Sequence, residues 1–458
     1  MKRLARSIPL NCVDKCLLAL DSKSERMVYH WILTISGEID PVKLNLALLS
    51  AQSAHPIMRT IMRSKYFRPF REIQEDFGEG VLSVQDLGEL QDTNYERHLS
   101  AWMNQPMNIK GGFPLRVLLF RKNEVESSLV FTFHHSATDG LRALLFIRKV
   151  IESYNNEVSD DSQAPDTTRI SRKGDELLEF AHSQRSRVEH YYMKMISSLF
   201  HRFSIAALSP PTRIFHDKPG QSEEIHFCFE TISPPELKKI ESRSKSVGVT
   251  ITDILLAACF RTIEKWNVLH GKVSRKISIM VPVNIGTEAS RHIVSNQVSF
   301  ISASTKPEDR ADPAKLLGRV GKNTTYAVKN GIAFSIIYFF YFCSRFPLTV
   351  IKAIAKLFML TRIYVDTVLL TNLGLIWPKE SGTEGGATKI GGAKIITVDC
   401  VVPVVTPMGM GIYVGTYNEN LNVSLTYRTS FFSKEKAQMF LDLYVEEIKK
   451  YPVGPERL

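Results

Sequence analysis

A chain of 458 residues, 44% of them hydrophobic, is long enough to bury a full core and to divide into two or three folded units. Its net charge of +11 favours anionic partners such as phosphate-bearing cofactors, acidic carrier proteins or lipid surfaces, against the plainer reading of a solvated basic face. Nucleic acid is disfavoured, because the lysines and arginines are scattered and form no basic run, zinc-finger spacing or aromatic-basic motif.

The chain opens MKRLAR, the charge of a signal-peptide start, but Asp14 and Lys15 interrupt the apolar stretch that should follow, so no cleaved signal is expected. Residues 28–36, rich in β-branched and aromatic side chains and ended by Gly37, predict a strand. A helix follows at once, with Asp40 as cap, Pro41 in the first turn, and Leu44, Ala47, Leu48 and Ala51 as an apolar stripe that stops before His55-Pro56. Residues 115–120 and 127–133 predict a hairpin whose second strand runs into His134-His135. Residues 141–154 then read as a helix with Leu141, Leu144, Leu145, Arg148 and Val150 on its inner face.

The polar stretch 155–176 is the best domain boundary, giving an N-terminal lobe at 1–175 and a C-terminal lobe at 176–458. In the second lobe, strands are expected at 224–230, 277–283, 364–370, 394–398 and 421–428. A capping box at Thr250–Asp253 precedes a helix at 254–266 that is apolar nearly all round and so central, and 434–449 is a closing helix. Residues 331–343 (GIAFSIIYFFYFC) are uncharged, and 346–360 continue apolar except for Lys352 and Lys356. The first run is too short to span a bilayer, which leaves a buried core helix, an interfacial helix or the wall of an apolar tunnel. Trp266 and the aromatic cluster Phe334, Tyr338, Phe339, Tyr341 and Phe342 read as core.

The six cysteines, Cys12, Cys16, Cys228, Cys259, Cys343 and Cys400, form no C-x-x-C pair, so neither a disulfide framework nor a zinc knuckle is indicated, and a reducing compartment is the simpler assumption. The chemistry concentrates in His134-His135-Ser136-Ala137-Thr138-Asp139-Gly140. Adjacent strand residues point to opposite faces, so the two histidines could not share a metal without a turn; with no H-E-x-x-H spacing elsewhere, no metal is expected. A division of labour fits better, one imidazole in the core and the other in a cleft as a base, since its ordinary pKa is roughly 6.5. Asp139 can brace the turn by pairing with a basic group, and Gly140 can supply a backbone conformation or close approach closed to other residues.

HHSATDG resembles the HHxxxDG motif of the condensation-domain and chloramphenicol-acetyltransferase-like acyltransferase superfamily, which includes wax-ester synthases and alcohol acyltransferases. Residues 37–59 (GEIDPVKLNLALLSAQSAHPIMR), 249–260 (VTITDILLAACF), 281–286 (VPVNIG) and 371–374 (TNLG) fall in the order of that superfamily, so the resemblance covers nearly the whole chain. It implies an α/β fold of two sandwich lobes with a tunnel at their junction. It also implies that His135 is the general base, that His134 is a buried support, and that Asp139 holds the motif through an arginine. No bound cofactor is implied; the co-substrate would be acyl-CoA or a phosphopantetheine thioester on a carrier protein.

Two departures matter. Gly286 stands where many relatives carry the arginine that meets the motif aspartate, so Arg291 is the expected substitute partner of Asp139. Residues 402–411 read VPVVTPMGMG in place of the DFGWG of the plant branch, which points to condensation-like or wax-synthase-like groups. Asn372 and Gly374, with Thr371 and Asn296, are candidates for lining the tunnel, against a simple turn. The expected function is acyl transfer from coenzyme A or a carrier protein to a hydroxyl or amine, with a lipid alcohol or glycolipid among the acceptors. A non-catalytic module that docks a carrier protein and a purely structural peripheral membrane protein are the competing readings. The cytoplasm is the expected location, with contact at the inner face of the membrane through 331–360 left open.

Overall fold

The strand expected at 28–36 forms as Val28–Ser36, and burial of eight of its nine side chains to some degree places it inside a sheet rather than at an edge. In the computed structural model, residues 7–156, 209–360 and 366–451 are described, apart from 67, 76–80, 87–91, 124, 217–219, 221, 378–387 and 407. The first six-stranded sheet runs in the order Lys389–Ile390, Ala393–Val401, Val28–Ser36, Glu126–His134, Leu115–Arg121 and Leu82–Asp86. The second runs Val298–Thr305, Ile277–Asn284, Val368–Leu375, Met410–Tyr417, Asn420–Arg428 and Ile225–Ile232. A three-stranded sheet of Ser7–Pro9, Arg68–Ile73 and Thr60–Lys65 completes the β-structure among the described residues.

Each large sheet buries its own helices. Pro41–Ala54, capped by Asp40 as the sequence indicates, packs with Gly140–Asn155 over the first sheet in a core containing Trp31, Leu48, Phe131, Phe146 and Ile147. On the inner face of Gly140–Asn155, Leu144 and Val150 are buried and Leu141 and Leu145 pack against the core as expected, joined by Ala143, Phe146, Ile147 and Ile151, whereas Arg148 is partly exposed and pairs with Glu152. The second sheet carries Ile251–Leu269 and Lys434–Lys450, and the capping box of Thr250 and Asp253 is present. Trp266 is core, as expected, but Phe342 is exposed. Of the expected strand at 364–370, residues 364 and 365 lie outside the described residues, and the strand runs Val368–Leu375, preceded by Asp366, which accepts hydrogen bonds from the hydroxyls of Ser278 and Ser302.

The division at 155–176 lies outside the described residues beyond Asn156. The two lobes are nevertheless not contiguous in sequence. Ala393–Val401, from the C-terminal half, pairs antiparallel with Val28–Ser36, Lys394 opposite Ser36 and Val401 opposite His30. The same strand meets the second sheet, where the Asn422 amide donates to the Val398 carbonyl and the Val402 N–H donates to Thr426. One strand thus ties both sheets together. Among the described residues no single helix is long and apolar enough to cross a membrane.

The tie begins at a steric contact. Gly37 has φ +120°, and a Cβ there would lie 2.7 Å from the Cβ of Ala393. Gly37→Ala should therefore combine backbone strain with overlap and lower stability by about 2 kcal/mol. Urea unfolding checks this, and an unchanged midpoint would contradict the close pairing.

Candidate functional site at the junction of the two sheets

The strand Glu126–His134 stops at the motif, and the chain then turns. His134 pairs opposite Val28 and is fully buried; its Nδ1 accepts from the Ser136 N–H at 3.2 Å and meets the Ser136 hydroxyl at 2.8 Å. Its Nε2 lies 3.5 Å from the Asp21 carboxylate, close enough for electrostatic attraction but too poorly placed for a strong hydrogen bond. Burial works to raise the Asp21 pKa, yet His134 and the Met27 N–H outweigh it and the carboxyl sits below its ordinary range.

His135 stands just past the strand end and is partly exposed. Its backbone is pinned at both ends of the peptide unit: its N–H donates to the Met27 carbonyl at 2.7 Å, and its carbonyl accepts from the Asn296 amide at 2.7 Å. The Tyr29 ring meets the imidazole edge-on, with centroids 5.2 Å apart. The same Asn296 amide donates to Asp14 Oδ1 at 2.8 Å, and Asp14 is held by a buried ion pair with Arg71 at 3.0 Å. Arg71 also donates to the Ser136 carbonyl, so the buried pair braces the motif from the side. Asp14, read in the sequence only as a break in an apolar run, anchors this network through its capping box with Asn11.

Asp139 spans the two sheets. As N-cap of Gly140–Asn155, its Oδ1 accepts from the Arg142 N–H at 2.9 Å, while Oδ2 accepts from the Gln297 N–H at 2.7 Å. The expected pairing with Arg291 does not form. The Arg291 guanidinium lies on the surface and pairs with Glu288, its neighbour on the same short turn. The arginine that the sequence reading missed is Arg142. Its guanidinium donates to Gln297 Oε1 at 2.8 Å and to the Arg291 carbonyl at 2.6 Å, and a Cβ on Gly286 would overlap both Arg142 and Gln297. The glycine at 286 thus vacates the space that an arginine from the opposite lobe fills.

The remaining expected residues behave unequally. Asn296 touches the motif directly. Thr371, Asn372 and Gly374 form the end of a strand: the Asn372 side-chain Oδ1 accepts from the Gly374 N–H at 3.0 Å, its Nδ2 donates to the Thr252 hydroxyl at 2.9 Å, and Gly374 has φ +68°, the turn reading. This turn still borders the motif, because a Cβ on Gly140 would meet Leu373 at 3.5 Å. That is an ordinary contact, and Gly140 sits in the first helical turn without a positive φ, so neither backbone nor space demands glycine there.

Burial shapes the electrostatics. It lowers the His135 pKa, against the opposing pull of the residue's own backbone carbonyl, the Asp139 charge and Asn296. It raises that of Asp139, against the two N–H donors and the nearby Arg142 charge. Arg142→Ala should leave Gln297 Oε1 without its cation and lower stability by about 1–3 kcal/mol, whereas Arg291→Ala should change it by less than about 0.5 kcal/mol. Thermal or urea unfolding of the two variants decides which arginine supports the motif; the reverse ranking would reinstate Arg291.

The condensation domain family model matches residues 16–274, more than half of the chain. The chain is 22% identical over 400 residues to the uncharacterized protein Rv2305 of Mycobacterium tuberculosis, covering 82% of this chain and 85% of that one. Its fold is similar to the starter condensation domain of rhizomide synthetase RzmA solved with C8-CoA, at a TM-score of 0.67 and 13% identity, over 98% of this chain and 96% of that one. It is similar too to the trichothecene 15-O-acetyltransferase TRI3 of Fusarium sporotrichioides, at a TM-score of 0.68 and 12% identity, over 97% and 95%. The α/β architecture and the motif resemblance therefore converge, and the chain belongs to the condensation domain family.

Proposed function

We propose that the protein transfers an acyl group from a thioester, carried by coenzyme A or by the phosphopantetheine of a carrier protein, to a hydroxyl or amine acceptor, with His135 as general base. The observation that carries this reading is the setting of His135. Its backbone is fixed across the lobe junction, its Nδ1 is buried, and the residue is still partly exposed, which leaves Nε2 as the edge open to a substrate.

Burial lowers the His135 pKa and so favours the neutral ring, which in its Nδ1-protonated tautomer presents the Nε2 lone pair to the acceptor. Nε2 takes the acceptor's proton as its oxygen or nitrogen bonds to the thioester carbonyl carbon. The C–S bond then breaks, and the imidazolium returns the proton to the departing thiolate. No acyl-enzyme is needed. His134, Asp139 and Gly140 belong to the same assembly as supports, and Asn296 as the clamp on the His135 carbonyl; Thr371, Asn372 and Gly374 border the acceptor path. The apolar character of 331–360 supports a lipid alcohol or glycolipid as acceptor.

The filling of the space beside Gly286 by Arg142 supports this reading over a non-catalytic docking role. In an assay of free thiol released from an acyl-CoA panel with soluble alcohols and amines, His135→Ala should reduce turnover by about 10²–10⁴-fold. Equal turnover by wild type and variant would remove His135 as base. The pH profile is a second readout. Because burial lowers the His135 pKa, the active neutral ring persists further into acid, so the acid limb of kcat/KM should lie below the ordinary imidazole value of about 6.5. An acid limb above that value would assign the base elsewhere.

A further inference from the structure

The helix Leu348–Leu360 has one face packed and another with no partner among the described residues. Ile351 is buried and Leu348 packs against a cluster of Leu10, Leu18, Met62 and Ile109. Val350, Ile354 and Leu357, spaced four and three residues apart and so on one face, are 39%, 45% and 62% exposed. Phe342 and Phe346, just before the helix, add exposed aromatic area, their rings 5.4 Å apart. The stripe is firmly mounted. The preceding helix Ile332–Ser344 is tied to Cys12–Leu20 through Lys15, whose ammonium donates to the Ser344 carbonyl at 3.2 Å.

Charge is distributed to match. Residues 313–365 contain eight lysines and arginines and no aspartate or glutamate, so this stretch holds most of the chain's +11. Lys352 and Lys356 are exposed on the same helix as the apolar stripe. A basic surface alone fits any acidic partner, but apolar and aromatic side chains standing out among cations fit the boundary between lipid headgroups and acyl chains.

We infer that this face docks on an anionic lipid bilayer and sets the motif beside it. Cys12–Leu20, which underlies the docking face, ends in Asp21, and Asp21 faces His134 while feeling the charge of Lys352. The docking face is thus one helix away from His134, the neighbour of the proposed base. The substrate class that follows, an amphiphile with its hydroxyl or amine at the headgroup level, rests on the acyl-transfer reading; the docking itself does not.

The test uses the full chain with vesicles of phosphatidylcholine alone or mixed with phosphatidylglycerol, followed by co-sedimentation. Wild type should bind the mixed vesicles and release at high salt. The double variant Ile354→Glu/Leu357→Glu should bind about tenfold or more weakly, and Lys352→Gln/Lys356→Gln should lose about tenfold. Both should unfold at the wild-type temperature. Failure of wild type to bind either vesicle would overturn the inference, as would unchanged binding by the glutamate variant. Binding of an acidic carrier protein that these variants lose, with vesicle binding intact, would reassign the face to a protein partner. Because vesicle binding is read without turnover, its failure is separate from failure of the acyl-transfer reading.

Discussion

Asp139 accepts one peptide N–H from its own helix and one from the loop that leads into the facing sheet, and this carboxylate holds the two halves of the site in register. It is buried and makes no ion pair among the described residues. Such a charge is costly to desolvate, and hydrogen bonds to an ionised acceptor, about 1.5–3 kcal/mol each, are what offset that cost. The geometry of those bonds is fixed because both donors are backbone. Any slip between the lobes would strand a buried carboxylate, so the bridge penalises movement at the motif.

The same logic extends outward from the bridge. Gln297 supplies its N–H to Asp139 and its side chain to Arg142, Ser290 and the Ser290 carbonyl, so the loop 285–297 is held by several bonds at once. Its neighbour Asn296 clamps the His135 carbonyl and the Asp14 carboxylate together. His135 is thus positioned from both lobes, and burial at the same place lowers the pKa of its ring.

Local patterns in the sequence were enough to place the elements around the site. Strand 28–36, the Asp40-Pro41 helix start, the hairpin into His134 and the Thr250 capping box depend on neighbours within a few residues, and those are visible in one dimension. The site's supports depend on partners far apart in the chain. Asp14 meets Asn296 and Arg71, and Arg142 meets Gln297, across separations that leave no periodic trace. Arg142 carries no local signal that sets it apart on its helix, while Arg291, five residues beyond Gly286, faces solvent. A glycine in an arginine slot was the one available signal, since a vacated volume in a packed junction must be filled from somewhere. The crossing strand 393–401 was likewise legible as a strand but not as a member of the first sheet.

Leu348–Leu360 packs on the first helix, Cys12–Leu20, whose C-cap Asp21 faces His134, so the proposed docking and the proposed catalysis would share a support. That arrangement gains its meaning only if His135 meets the acceptor. The most direct measurement is a structure of the protein with an unreactive thioether analogue of the acyl donor and a bound alcohol or amine. Nε2 of His135 should lie within about 3.2 Å of the acceptor's hydroxyl or amine, with Asp139 still joined to the Arg142 and Gln297 N–H groups. An acceptor bound with its nucleophile beyond reach of His135, or nearer another base, would contradict the account.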